Sequence, residues 1–229
     1  MTQSTAPKKL LLHTCCGPCA MWPLERLLEE GIDVTLFFFN PNIHPAIEWQ
    51  RRLENAVKVA DHYGVPMIVK GCSMPQAWLR RAEDGDERCR YCYQTRLSCV
   101  ADQALADGFD AISTTLFVSP YQNRDLILEE GGKAIAERDL AFSPYDWRDG
   151  YRRGQTMAKE IGLYRQKYCG CIISLKESSY WERISQEHEQ LAIWGSLSSG
   201  GLAQQAVIYD AGKWEKQSDR FLLEDESVK

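Results

Sequence analysis

No stretch of this sequence is apolar for long enough to cross a bilayer. Leu36-Phe37-Phe38-Phe39 runs straight into Asn40, where a membrane helix needs about 20 apolar residues. No export signal is expected either. Lys8-Lys9, Leu10-Leu11-Leu12 and Cys15 imitate a lipoprotein leader. The apolar part is too short, however, and His13-Thr14 stand where small residues should precede the cysteine. A cytoplasmic protein with no membrane partner is expected. Excess basic charge is also lacking: 27 Lys and Arg face 32 Asp and Glu, a net charge of −5. That excludes a nucleic-acid binder relying on bulk charge and leaves room for a local basic face. Internal repeats, low-complexity tracts and collagen-like composition are absent as well.

What is present is an ordinary globular composition, 44% hydrophobic and 26% charged over 229 residues. This is one large domain, or one domain with a tail. Apolar runs at 9–13, 33–39, 66–70, 109–114 and 140–142 read as strands. Helical patterns cover 21–30, 47–63, 76–81, 92–106, 124–138, 154–161 and 172–190, several closed by glycine. Strands alternating with helices predict an α/β, Rossmann-like, mainly parallel sheet with helices on both faces. Gly195 to Gly201 has linker composition. Beyond it, 206–209 and 221–223 are short apolar patches in a charged tail.

Cysteine is the residue in surplus, at nine. An odd count without an export signal argues against a disulfide framework and for metal or redox chemistry. Cys15, Cys16 and Cys19 follow the first strand and open the first helix, where free amides and the helix dipole favour thiolates. Cys89-Arg90-Tyr91-Cys92 is expected just before a helix, with Arg88 and Arg90 offsetting thiolate charge. With Cys15 and Cys16 it completes four thiolates, a set that suits zinc or an iron–sulfur centre. Cys169-Gly170-Cys171 can close only a strained, easily reduced ring, which favours a catalytic or regulatory role. Cys72 and Cys99 read as packing.

Two strand-end segments read as substrate surface. One is Asn40-Pro41-Asn42-Ile43-His44-Pro45. The other is Ser113-Thr114-Thr115-Leu116 with Ser119 and Asn123, whose hydroxyls and amides suit a polar ligand or phosphate. Two basic groups gather locally. Arg80, Arg81, Arg88 and Arg90 form the first. Arg148, Arg152, Arg153, Lys159, Arg165 and Lys167, interleaved with Trp147, Tyr151 and Tyr164, form the second. Arginine with aromatics grips phosphate and stacks on loop-RNA bases, and it also makes ordinary solvated surface.

At these residues the chain resembles the QueH-type epoxyqueuosine reductases. The matching pieces are 13–19, 38–45, 88–92, 113–116 with Ser119, Pro120 and Asn123, and Tyr164-Arg165-Gln166-Lys167-Tyr168-Cys169-Gly170-Cys171. They stand in the family's order across about 9–180. The resemblance implies a fold like the adenine-nucleotide hydrolases. It implies reductive removal of the epoxide oxygen of epoxyqueuosine at the wobble position of tRNA, giving queuosine. Cys15, Cys16, Cys89 and Cys92 would hold a 4Fe–4S cluster. Cys169 and Cys171 would form a redox-active disulfide, and Cys19 would bind an additional iron or zinc ion. Asn40, Asn42, Ser113, Thr114, Thr115, Ser119, Asn123, Arg165 and Gln166 are the substrate-binding candidates. The partners implied are tRNA with epoxyqueuosine in its anticodon loop and an unidentified electron donor. Residues 8–190 would be the reductase domain and 191–229 a C-terminal extension.

Related ATP-using enzymes carry a Ser-Gly-Gly loop where this chain has Cys15-Cys16-Gly17, so ATP use is not expected. Two other readings stay open on the residues alone. A zinc-stabilised RNA-binding module would not need Cys169 and Cys171. A thiol–disulfide oxidoreductase acting on proteins would not need RNA.

Overall fold

The computed structural model describes residues 8–81, 83–194 and 207–209. In chain order it contains β1 (Lys9–His13), α1 (Gly17–Glu29), β2 (Asp33–Phe38), α2 (Ala46–Tyr63), β3 (Met67–Val69), α3 (Pro75–Leu79) and α4 (Asp86–Asp107). Then come β4 (Ala111–Thr114), α5 (Arg124–Ile135), β5 (Ala141–Phe142), α6 (Tyr151–Glu160), α7 (Ile172–Lys176), α8 (Trp181–Trp194) and β6 (Val207–Tyr209). The sheet order is β5-β4-β1-β2-β3-β6. The first five strands are parallel and β6 runs antiparallel against β3, with Ile208 opposite Ile68. Helix α1 packs with α2 and α6, and α4 with α5, so helices flank the sheet as the alternating pattern predicts. A sheet covered on both faces buries every side chain of its central strands. Hence Leu10, Leu11 and Leu12, and likewise Leu36, Phe37 and Phe38, are all buried instead of alternating.

The strand order reverses at β1. The chain moves to β2 and β3 on one side, then returns to β4 and β5 on the other. Such a reversal leaves a crevice beyond the carboxyl ends of the two diverging strands, and ligands bind there in open α/β sheets. Here those ends are His13 and Thr114, neighbours in register. Helix α1 then leaves close against α2: a Cβ on Gly17 would stand 2.5 Å from the Asn55 carbonyl oxygen. Only glycine allows that approach directly after the cysteine pair.

Three expectations change. Helix α4 starts at Asp86, because Asp86 and Glu87 complement its N-terminal dipole. Cys89 and Cys92 therefore lie inside the helix, three residues apart on one face, and not ahead of it. The single helix expected over 172–190 is two. Ser178 Oγ donates to the Leu175 carbonyl at 2.8 Å, and the Trp181 amide bonds Ser178 O at 3.2 Å, making a turn between α7 and α8. The patch at 206–209 contributes β6, a short strand covering the edge of β3. The expected linker at 195–201 and the patch at 221–223 lie outside the described residues.

Candidate active site

Beyond the crevice between β1 and β4 lies a cavity of about 550 Å³, lined among others by Cys15, Cys19, Cys89, Cys169 and Cys171. Its floor is the β1–α1 turn. There the sulfurs of Cys15, Cys16 and Cys19 all lie within 4.8 Å of one another, a set able to hold a metal or an iron–sulfur centre. Thr115, just past β4, anchors the turn: its hydroxyl accepts from the Cys15 amide at 3.1 Å and lies 3.4 Å from Cys15 Sγ. Gln166 Nε2 donates to Cys16 Sγ at 3.0 Å. Crowding sets the electrostatics. Contact with the neighbouring Cys16 and Cys19 thiols holds Cys15 well below the ordinary thiol range. Burial first, then the contact with Cys15, pushes Cys16 up; the contacts with Cys15 and Cys16 first, then burial, push Cys19 up.

His13 underpins this floor. Its Nε2 donates to the Phe39 carbonyl at 3.2 Å, which leaves Nδ1 to accept from Thr114 Oγ1 at 2.9 Å. The Thr114 oxygen in turn accepts from the Leu116 amide at 3.2 Å. The ring thus ties the ends of β1, β2 and β4 together as a neutral imidazole. Burial, followed by the charge of Arg96, lowers its pKa to about 4.

A second wall comes from α4. Cys89 is half-buried and Cys92 buried. Burial raises both thiols, Cys92 to about 12. Arg96, one turn further along, donates to Cys92 Sγ and to the Cys92 carbonyl, each at 3.1 Å. Cys92 and Cys171 share a small apolar cluster with Trp78 and Ile173.

The third wall is the hairpin 169–171. Cys169 is exposed and Cys171 buried, and all nine cysteines are free thiols. Gly170 has φ +139°, a conformation that suits glycine. The hairpin hangs from three hooks. Arg52, buried on α2 and paired with Glu48 at 2.7 Å, donates to the Tyr168 and Cys169 carbonyls at 3.0 and 2.9 Å. The His44 amide donates to Gly170 O at 2.8 Å, and the Ile172 amide donates to His44 Nδ1 at 3.0 Å. The Tyr168 hydroxyl donates to His44 O. His44 is therefore a buried anchor whose pKa burial lowers to about 4.

The sequence candidates divide. Asn42, Ser119 and Gln166 line the cavity. Asn42 is buried, and its side-chain oxygen has no hydrogen-bond partner. Arg165 lines a neighbouring cavity of about 280 Å³ together with Lys167 and Arg183. Asn40, Ser113 and Thr114 serve the scaffold: Asn40 donates to Thr14 O at 2.9 Å and Ser113 to Ser143 O at 2.7 Å. Thr115 holds Cys15 as described, and Asn123 caps α5 through the Leu126 amide at 3.2 Å.

The expected basic–aromatic surface keeps its cations exposed, at Arg148, Arg152, Arg153, Lys159, Arg165 and Lys167, but two of its rings are engaged inside the protein. Trp147 is buried and stacks on Tyr145 at 4.7 Å, Arg148 pairs with Asp146, and Tyr164 lies under Arg51 and bonds Glu48. Arg90, expected beside the thiolates, is instead held by Glu129 and Glu130 at 2.7 and 2.8 Å. The cations that do reach the cavity are Arg52, Arg88, Arg96 and Lys167. The sequence does not single out Arg52 or Arg96, because an arginine in an amphipathic helix looks like solvated surface.

The model of a family described as epoxyqueuosine reductase QueH matches residues 10–177. Curated proteins carrying that name are similar along most of their length. One from Acinetobacter baylyi is 34% identical over 81% of this chain and 88% of its own. One from Histophilus somni is 36% identical over 77% and 76%, and one from Thermotoga maritima 35% over 73% and 91%. Carried by matches of this extent over a cysteine-lined cavity at the sheet's switch point, the chain belongs to the epoxyqueuosine reductase QueH family.

Proposed function

We propose that this oxidoreductase reduces epoxyqueuosine to queuosine at the wobble position of tRNA. The observation that carries the reading is the convergence of Cys15, Cys19, Cys89, Cys169 and Cys171 on one cavity at the crevice between β1 and β4. An all-thiol donor set suits zinc or iron–sulfur chemistry. We assign Cys15, Cys16, Cys89 and Cys92 to a 4Fe–4S cluster and Cys19 to an additional iron or zinc ion. Buried Arg96, which donates to Cys92 Sγ at 3.1 Å, supplies charge that a thiolate set calls for. When bound, such a cluster passes electrons one at a time.

Removal of the epoxide oxygen leaves an alkene, releases water, and consumes two electrons and two protons. A dithiol closing to a disulfide delivers both pairs, and we give this role to Cys169 and Cys171. The exposed Cys169 faces incoming groups, while Arg52 and His44 hold the hairpin against the cavity. The unpartnered oxygen of Asn42 is placed to accept a hydrogen bond from the substrate. Asn40, Ser113, Thr114, Thr115 and Asn123 shape the loops around it, Ser119 and Gln166 add polar wall, and Arg165 adds charge for the RNA backbone. An external reductant must restore the dithiol. We assign residues 8–190 to the reductase domain and 191–229 to an extension, and place the chain in the cytoplasm with its tRNA. Among the described residues no helix is long and apolar enough to cross a membrane.

The test is anaerobic incubation with tRNA bearing epoxyqueuosine and a low-potential chemical reductant, followed by nucleoside mass analysis. Loss of one oxygen from the modified nucleoside supports the reading. An unchanged nucleoside with metal-loaded protein overturns it.

A further inference from the structure

Tyr121 is a large aromatic side chain left 81% exposed, and it lines the thiol cavity. Burying such a ring would be favourable, yet its loop holds it in water. The Tyr121 amide donates to Ser119 Oγ at 3.3 Å. Tyr93, from α4, donates its hydroxyl to Gln122 Oε1 at 2.8 Å and accepts from the Asn123 amide at 3.3 Å. The backbone is therefore tied on both sides of Tyr121. Tyr151 meets the ring edge-on, with centroids 6.1 Å and planes 84° apart. Of the other aromatics lining the cavity, Tyr93 and Tyr168 are buried and Tyr151 is half-buried. Among the described residues Tyr121 alone offers an exposed ring at this site.

We propose that Tyr121 is the stacking platform for the wobble nucleobase, holding it at the mouth while its epoxide-bearing substituent reaches inward. The proposal rests on the RNA reading above. Single-stranded and loop RNA is gripped by stacking unpaired bases on such rings. The neighbouring amide, Gln122 Nε2, lies 3.5 Å from Cys169 Sγ, so a base on Tyr121 is set one residue away from the exposed thiol. The cavity volume of about 550 Å³ lies within the usual range for small-ligand sites, roughly 300–1,000 Å³, enough for the substituent below a stacked base.

The test is a double-mutant cycle on binding. An anticodon stem-loop carrying epoxyqueuosine, and the same RNA abasic at the wobble position, are titrated by fluorescence anisotropy. The proteins are the wild type, Tyr121→Ala, Tyr121→Phe and Tyr121→Trp. The proposal predicts that Tyr121→Ala weakens the intact RNA roughly 10- to 100-fold and leaves the abasic RNA's affinity unchanged. Phe and Trp retain affinity for the intact RNA. An equal loss on both RNAs, or no loss with Ala, overturns it. So does unchanged RNA affinity with slower reduction by a protein donor but not by a chemical one, which would make the ring a protein-docking residue. If the wild type binds neither RNA, the RNA reading fails and takes the proposal with it.

Discussion

The floor and the hairpin of this cavity are both cysteine-bearing, but they are built in opposite ways. Cys15, Cys16 and Cys19 grow out of the central strand, over the neutral ring of His13, against a helix that Gly17 allows to pass close to α2. Cys169 and Cys171 belong to no strand; they sit on the loop leading into α7, which Cys171 caps by accepting from the Ser174 amide at 3.4 Å. They hang from Arg52, His44 and Tyr168 by backbone bonds that span more than a hundred residues of sequence. A site that binds metal needs donors fixed by the core. A dithiol that opens and closes needs one sulfur in reach of solvent, and Cys169 is exposed. That difference accords with the two roles proposed for them.

The comparison breaks first at the metal-binding side. Cys89→Ala is expected to abolish metal binding and turnover together, checked by metal content and nucleoside analysis; full activity would remove α4 from the centre. Cys169→Ser should leave the metal in place and slow repeated turnover by roughly tenfold or more, read under multiple-turnover conditions. Normal cycling would take the hairpin out of the reaction.

The hooks sharpen the contrast. Arg52→Leu takes the guanidinium from the buried Glu48 carboxylate and should cost about 3–5 kcal/mol in denaturant unfolding. Adding Glu48→Gln should recover part of that loss, because the buried negative charge is gone. No loss would mean that Arg52 does not hold the hairpin.

The smallest effect is the pH dependence. His13 and His44 are both lowered by burial to about 4. Once unfolded, they protonate below about 6.5. In that window the unfolded chain binds protons that the folded chain refuses. Stability from these residues is complete above about pH 6.5 and falls as pH drops toward 4. A pH series of unfolding midpoints should show the decline, and His44→Asn should remove part of it.

Much of this was legible in the sequence. Apolar strands between amphipathic helices gave the parallel sheet, because a sheet covered on both faces requires uninterrupted hydrophobic runs. The cysteine triplet after β1 pointed to the crevice, because a strand end followed by a helix start is where open sheets bind. Long-range side-chain pairing was not legible. Nothing in the spacing of α2 reveals that Arg52 reaches the carbonyls of 168 and 169 rather than solvent. Trp147 and Tyr164 read as RNA-stacking residues until Tyr145, Arg51 and Glu48 are seen to cover them. Tyr121 gives no sign of itself in the sequence, because an isolated tyrosine in a polar loop carries no periodic signal. The position of Cys89 turned on where α4 begins, and helix starts are read poorly when the capping residue is Gly85 without a side-chain cap.

The most direct test of the thiol cavity as a reductive metal site is iron, acid-labile sulfide and zinc per chain, on protein made and purified without oxygen. The assignment predicts about four iron and four sulfide, with one further iron or zinc, all lost in Cys89→Ala. Zinc alone, or no metal, would contradict it.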